Sequence, residues 1–477
     1  MRKKGSVTVF LTLILSLLLS LICASIESVR MASARTQILN GMDIGLYSLF
    51  GQYDKELLTD YDLFALDGSR GGGQLDLAAV CDELEAYMTP VLKQNSQKLT
   101  LCQSGLTGYR LLTDQKGEAF YQQIVGYMQE TLGSQGIQLL LGRMSERQEK
   151  TAQADQSANQ AQSKGSIDRY DSEMNQASEK SQQAAEEVQV VPQAPPAKNP
   201  ITIMKRIMKR GVLELVLPGG NGLSTKEIEK GTLVSGRGLQ QGMEMPDGMT
   251  VENSYTSEVL FQQYLMEHLG SYAEPSSTGL AYQVEYIFGG KDSDEDNLKA
   301  VASKLLFIRE GVNFACLMAD NVKRSEAQAL ATAIASGFLV PPAAVIIEAA
   351  LILCWAFAES VLDVRELFAG GRIPLVKSSG DWQISLENLP DLMEGLDSMR
   401  RNDEKGMSYK DYLQVLVLTV SKEKKVMRAM DMIENTIREK GRKNFCMDSC
   451  IVALEAFADV KANKKKDFQV IRQYCYE

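Results

Sequence analysis

The sequence predicts a helix-rich body, α/β or α+β in class, carried behind one N-terminal transmembrane helix. Three observations predict it. Residues 6–26 form an uninterrupted apolar run, residues 297–320 and 325–367 place apolar side chains at turns of three and four, and a few short segments alternate or run apolar as strands do. A chain of 477 residues has the length of two or three domains at about 150 residues each, so a sizeable core is expected.

The first element is the clearest. After Met1-Arg2-Lys3-Lys4-Gly5 the run Ser6 to Ile26 carries no charge, and about twenty residues at 1.5 Å each cross about 30 Å of hydrocarbon. A signal peptide has a shorter apolar core, of about 7–15 residues. Val29, Ala32, Leu39, Met42, Leu46 and Leu49 continue at helical spacing, so one helix is expected to run on through Leu49. The basic residues before the run predict a cytoplasmic N-terminus, with the body on the far side of the cell membrane.

From Phe50 to Arg143 short apolar runs and glycines suggest mixed α/β structure, with Leu63-Phe64-Ala65-Leu66 as the best strand. Residues 145–200 are dominated by Gln, Ser, Ala, Glu and Lys and end in a proline-rich stretch. Such a composition predicts a flexible linker, because it buries too little apolar area to offset ordering its backbone. The expected domains are therefore 1–27 (tail and anchor), 28–144, 145–200 (linker) and 201–477.

In the last of these, Gly211 to Pro218 and Leu280 to Phe288 read as strands, and Asp292-Ser293-Asp294-Glu295 reads as a cap for a helix over 297–320. The segment 325–367 reads as a helical pair hinged at Pro341-Pro342. Its second half, Phe338 to Ala358, is apolar enough to suggest another span. However, Glu348, Glu359 and Glu366 project within about 20° of one another on a helix, with Asp363 about 60° away. A carboxylate at mid-bilayer costs about 2.5–3.5 kcal/mol, so a buried core helix is expected instead.

Composition narrows the chemistry. A net charge of −10 argues against a nucleic-acid partner, since phosphate recognition needs surplus Lys and Arg. The single histidine, His268, reads as the last turn of a helix closed by Gly270. The eight cysteines show no Cys-x-x-Cys pair, and Cys446 and Cys450 read as one half-buried helix face. Gly236 to Gly242 misses the dinucleotide fingerprint by one residue, and Gly219-Gly220-Asn221-Gly222 lacks the ending of a phosphate loop; both read as turns. Asp292, Asp294 and Asp296 imitate a calcium loop but lack its Gly and Glu, and Ser421-Lys422-Glu423-Lys424 stands without the companion motifs of a penicillin-binding site. No catalytic, cofactor-binding or metal residues are therefore assigned, no cofactor is expected, and the chain is read as not an enzyme.

Lys4-Gly5-Ser6-Val7-Thr8-Val9-Phe10-Leu11, Glu27-Ser28-Val29-Arg30 and Tyr61-Asp62-Leu63-Phe64-Ala65-Leu66-Asp67 together resemble the TadE/TadG-like proteins of tight-adherence pilus loci, in a Gram-positive branch. Gly279 to Gly290, Gly371 to Lys377 and Asp381-Trp382 extend the resemblance along most of the chain. It implies a pilin-like N-terminal helix and a minor structural or assembly role in a pilus or related secretion machine. The implied partners are the lipid bilayer, through residues 6–26, and other pilus components. Phe10 stands where pilin-like relatives usually carry Glu, and Asp67-Gly68-Ser69-Arg70-Gly71 lacks the third ligand of the metal motif some relatives bear. The alternative is an anchored enzyme acting on cell-wall or surface polymers through carboxylates.

Overall fold

The computed structural model describes residues 4–94, 99–164, 170, 199–217, 222–243, 245, 254–337, 343–377, 379–392, 396, 406–462 and 466–476. The chain divides into two compact units, neither continuous in sequence: Met1–Tyr127 with Thr232–Glu252 and Ile437–Glu477, and Met128–Gly231 with Asn253–Thr436. This differs from the sequential division at 144 and 200 expected from composition. Strand pairings between residues hundreds of positions apart build the first unit, and composition along the chain does not register them.

The first unit begins with α1 (Lys4–Phe50), followed by α2 (Lys55–Tyr61), β1 (Leu66–Asp67), α3 (Leu77–Lys93) and β2 (Leu99–Leu111). The start of α4 (Asp114–Lys164) follows, and the C-terminal segment adds β3 (Cys450–Ala462) and β4 (Lys466–Cys475). β3 is the central strand, antiparallel to β2 on one side and to β1 and β4 on the other. Paired along both edges, it is buried through nearly its whole length.

α1 has two different halves. Val7 to Arg30 stand exposed, whereas Ala34, Ile38, Met42, Leu46 and Leu49 form a buried stripe against α3 and the sheet. Where α1 approaches α3 closest, Gly45 is required: a Cβ there would lie 2.6 Å from the Met88 side chain. The helix expected through Leu49 is thus present as one element, long and apolar enough near its start to cross a membrane. At 1.5 Å per residue it is about 70 Å long.

The strand expected at Leu63–Leu66 is only partly formed. Leu66 pairs with β3, but the Phe64 amide and carbonyl are bonded to the Gln123 side chain, at 2.9 Å each. A side-chain amide thus satisfies the backbone where a neighbouring strand would have done so.

The second unit is helical. It comprises most of α4, then α5 (Pro200–Met208), α6 (Val212–Val216), α7 (Tyr255–His268) and α8 (Gln283–Gly289). α9 (Asp294–Ala319), α10 (Asn321–Gly337), α11 (Ala344–Phe368) and α12 (Tyr409–Leu418) follow, and α13 (Lys422–Glu439) leads the chain back to the first unit. The centre is α11, flanked by α9, α10, α5 and α6. It is buried from Ala350 to Val364 without a break, as expected for a core helix.

Three expectations are corrected here. Gly211–Pro218 holds the short helix α6 where a strand was expected, and Arg365 caps it by donating to the carbonyls of Leu215 (3.3 Å) and Leu217 (3.0 Å). Leu280–Phe288 holds α8, and its alternation misled because the polar positions Gln283 and Glu285 are buried as well. Over residues 145–164, read as linker, the chain continues α4, where Thr151 and Ala154 are buried and Asp155 pairs with Lys304 at 2.8 Å. Residues 171–198 of that stretch lie outside the described residues, as do Pro341 and Pro342.

Candidate functional site

In the second unit a cleft of about 480 Å³ is lined mainly by charged side chains. Arg143, Glu146, Arg147 and Lys150 form one wall, because spacings of three, four and seven bring them to one face of α4. The opposite walls are the irregular segment Arg372–Val376 and the start of α12, with Gly406, Met407 and Asp411. Ser408 and Asp411 form a reciprocal capping box that fixes the beginning of α12. Arg147 joins α4 to α12 through Asp411 at 2.7 Å and Gln414 at 3.2 Å.

The irregular wall is held from behind. Arg309 of α9, fully buried, donates through one nitrogen to the carbonyls of Pro374 and Leu375, both at 2.9 Å. Its other nitrogens reach Asp363 of α11 at 3.0 and 2.8 Å. Lys377 completes the set, contacting Asp363 at 2.5 Å and Glu359 at 2.6 Å. Glu359 in turn accepts the Gln383 and Ile384 amides, while Asn313 donates to Asp363. On the cleft side, Ile373 and Met407 exchange backbone hydrogen bonds, and Arg372 donates to the Gly406 carbonyl at 3.2 Å.

This network determines the protonation of its members. Burial alone would raise the Asp363 carboxyl, but Arg309 and Lys377 outweigh it and hold the group below the usual range. Glu285 has no such cation: burial pushes its carboxyl up to about 7, although Tyr409 (2.6 Å) and the Tyr272 amide (2.8 Å) donate to one of its oxygens. Burial likewise pushes Glu310 up to about 7. Neither Glu285 nor Glu310 lines the cleft.

The features weighed in the sequence fall elsewhere. His268 is in the last turn of α7, stacked on Tyr264 with ring centroids 4.0 Å apart. Asp67 accepts from the Ser69 amide and hydroxyl and pairs with Arg442 at 3.0 Å, so its carboxylate is already engaged. Ser293 caps α9, and buried Asp294 accepts from the Ala281 and Tyr282 amides. Gly242 donates its amide to Asp114, Ser421 precedes α13, and Gly219 to Asn221 lie outside the described residues. Cys446 and Cys450 do not share a helix face as expected. Cys446 precedes a single 3₁₀ turn and Cys450 opens β3, because the segment joins the sheet.

Reasoning from sequence missed the cleft. The basic spacing of Arg143, Arg147 and Lys150 was available as a signal, but it lay inside or beside a stretch read as linker. No curated protein and no solved structure matches this chain. One family model does, over residues 192–462, and that interval covers more than half of the sequence. It includes α5 to α13 and all of β3, and therefore both the irregular cleft wall and the buried ions behind it. The chain belongs to this family, described as a family of unknown function (DUF5702).

Proposed function

We propose that the protein is a membrane-anchored structural or assembly component, minor pilin-like in role, of a tight-adherence type pilus or related secretion machinery. The observation that carries this reading is the division of α1. Its first half is an exposed, mostly apolar run without a charge over residues 6–26, while its second half packs against α3 and an antiparallel sheet. A helix shared in this way between a bilayer and a folded head is what a subunit needs if it is stored in a membrane and then packs by its helix. Exposed Val29, Ile44 and Tyr47 on α1 supply an apolar surface for neighbouring helices.

In this reading the chain crosses the cell membrane once, through residues 6–26, with the N-terminus inside and both units outside. Photo-crosslinking tests the assembly role. A crosslinking side chain at Ile44 or Tyr47, in cells of the source organism, is expected to capture further membrane-anchored subunits. Capture of lipid alone would refute it. Topology is tested on Cys475, which is exposed. Kept as the sole cysteine, it is expected to react with an impermeant maleimide in intact, wall-stripped cells. Reaction only after permeabilisation would reverse the orientation, and recovery in the medium of a chain lacking about its first 25 residues, as a cleaved signal sequence leaves, would remove the anchor.

A further inference from the structure

The α4–α12 cleft carries more positive charge than its own carboxylates neutralise. Arg147 is matched by Asp411 at 2.7 Å and Lys150 by Glu146 at 2.5 Å. Arg372 is held only by a backbone carbonyl, which cancels no charge, and Arg143 has no hydrogen-bond or ion-pair partner among the described residues. Among the described residues, two guanidinium groups therefore stand uncompensated at one cleft, in a chain of net charge −10.

We propose that this cleft is a binding site for a phosphate monoester group in its dianionic form, with Arg143 and Arg372 as its charge partners. The charge count selects the ligand: a phosphate monoester brings about −1.5 to −2 at neutral pH, whereas a carboxylate brings about −1 and leaves one guanidinium unmatched. The donor type agrees, since a guanidinium presents a planar fork of N–H groups that fits phosphate oxygens. Among the described residues no aromatic ring lines the cleft, and so they offer no stacking platform for a sugar or a base. Its volume of about 480 Å³ is that of a small-ligand site. The wall bearing Arg372 is also preorganised, because Arg309 and Lys377 fix it from the interior before any ligand arrives.

The test uses the full chain in phosphatidylcholine nanodiscs, titrated calorimetrically with inorganic phosphate, with glycerol phosphate and, at matched ionic strength, with acetate. Saturable binding of both phosphates is expected, at least about tenfold tighter than acetate. Glycerol phosphate should weaken as pH falls below its second ionisation, near about 6. Arg143→Gln and Arg372→Gln should each weaken phosphate about tenfold, and Glu146→Gln should tighten it. These side chains are exposed, so unchanged unfolding midpoints should confirm that each variant is folded. Phosphatidic acid added to the nanodiscs separates two sources of the group: displacement of soluble phosphate assigns a lipid headgroup, and retention assigns a soluble ester. Absence of saturation, equal affinity for acetate, or phosphate binding indifferent to both arginine variants would each overturn the proposal.

Discussion

α1 and α11 are both long and apolar enough to cross a membrane, yet one is bare over its apolar window and the other is 78% buried over its own. Hydropathy does not separate them. What does is the charge each carries and where the opposite charge comes from. The apolar run of α1 has no ionisable side chain except Cys23. α11 carries Glu359 and Asp363, whose partners Arg309 and Lys377 are supplied from α9 and from the segment after α11. A buried carboxylate with a dedicated cation marks a helix whose solvent is protein, and a charge-free run of the same length is one that is apolar enough for a bilayer.

The same substitution in both helices tests this contrast most severely. Leu351→Arg puts a cation where the side chain is fully buried, so loss of cooperative folding of the second unit is expected in circular dichroism and proteolysis. Leu15→Arg is expected to reduce membrane insertion, at a cost of about 2.5–3.5 kcal/mol, without unfolding either unit. Equal effects at the two positions would break the distinction.

Breaking one pair is the next largest effect. Arg309→Met leaves buried Asp363 with Lys377 and the Asn313 amide, one cation fewer, and frees the Pro374 and Leu375 carbonyls. A loss of about 3–5 kcal/mol is expected in denaturant unfolding, as for other buried pairs cut on one side. Because the Asp363 carboxyl is held low, its contribution is present above its unfolded value, about 3.9, and is lost as pH falls through the lower folded value.

Glu285 sharpens the comparison from the other side, as a buried carboxylate without a cation. Tyr409, Tyr272 and Tyr282 surround it, and nearby Asp294 adds a like charge. Its folded value of about 7 lies above the ordinary one, so the folded state holds a proton that the unfolded chain releases. Stability is therefore expected to fall as pH rises from about 4.5 to about 7, by about 3 kcal/mol, and then to level off. Glu285→Gln should remove this share of the slope and leave that of Glu310, whose folded value is also about 7, and a slope unchanged in the variant would assign the titration elsewhere.

Much of the helical part of this fold was legible because helices are local. The Ser293 cap, the period of α9 and the acidic face of α11 are written within one or two dozen residues, and the structure has each in place. The sheet was not legible: β2 pairs with β3 across hundreds of residues, Gly105 against Phe457 among them, where a Cβ would lie 2.6 Å from the Phe457 ring. Nothing near Gly105 in sequence announces that ring. The cleft failed for the same reason, since Arg143, Arg372 and Asp411 acquire meaning only when α4, the 372–376 segment and α12 meet.

Lys425 gives the smallest expected effect and the cleanest mirror of the α11 carboxylates. On α13 it is 1% exposed, and its ammonium has no hydrogen-bond partner among the described residues. Burial pushes its pKa down, and nearby Glu258 opposes this without a hydrogen bond to the ammonium. A cation whose solvation is removed and not replaced costs stability, whereas a thioether of similar length fills the same space with no such cost. Lys425→Met is therefore expected to stabilise the protein, by about 1–2 kcal/mol in denaturant unfolding at neutral pH. Lys377→Met, the same change at a lysine contacting two carboxylates, is expected to destabilise it by about 3–5 kcal/mol. Opposite signs for one substitution would show that the partner, and not burial, decides whether an interior charge supports this fold; a loss at both positions would mean that Lys425 has a partner its surroundings do not reveal.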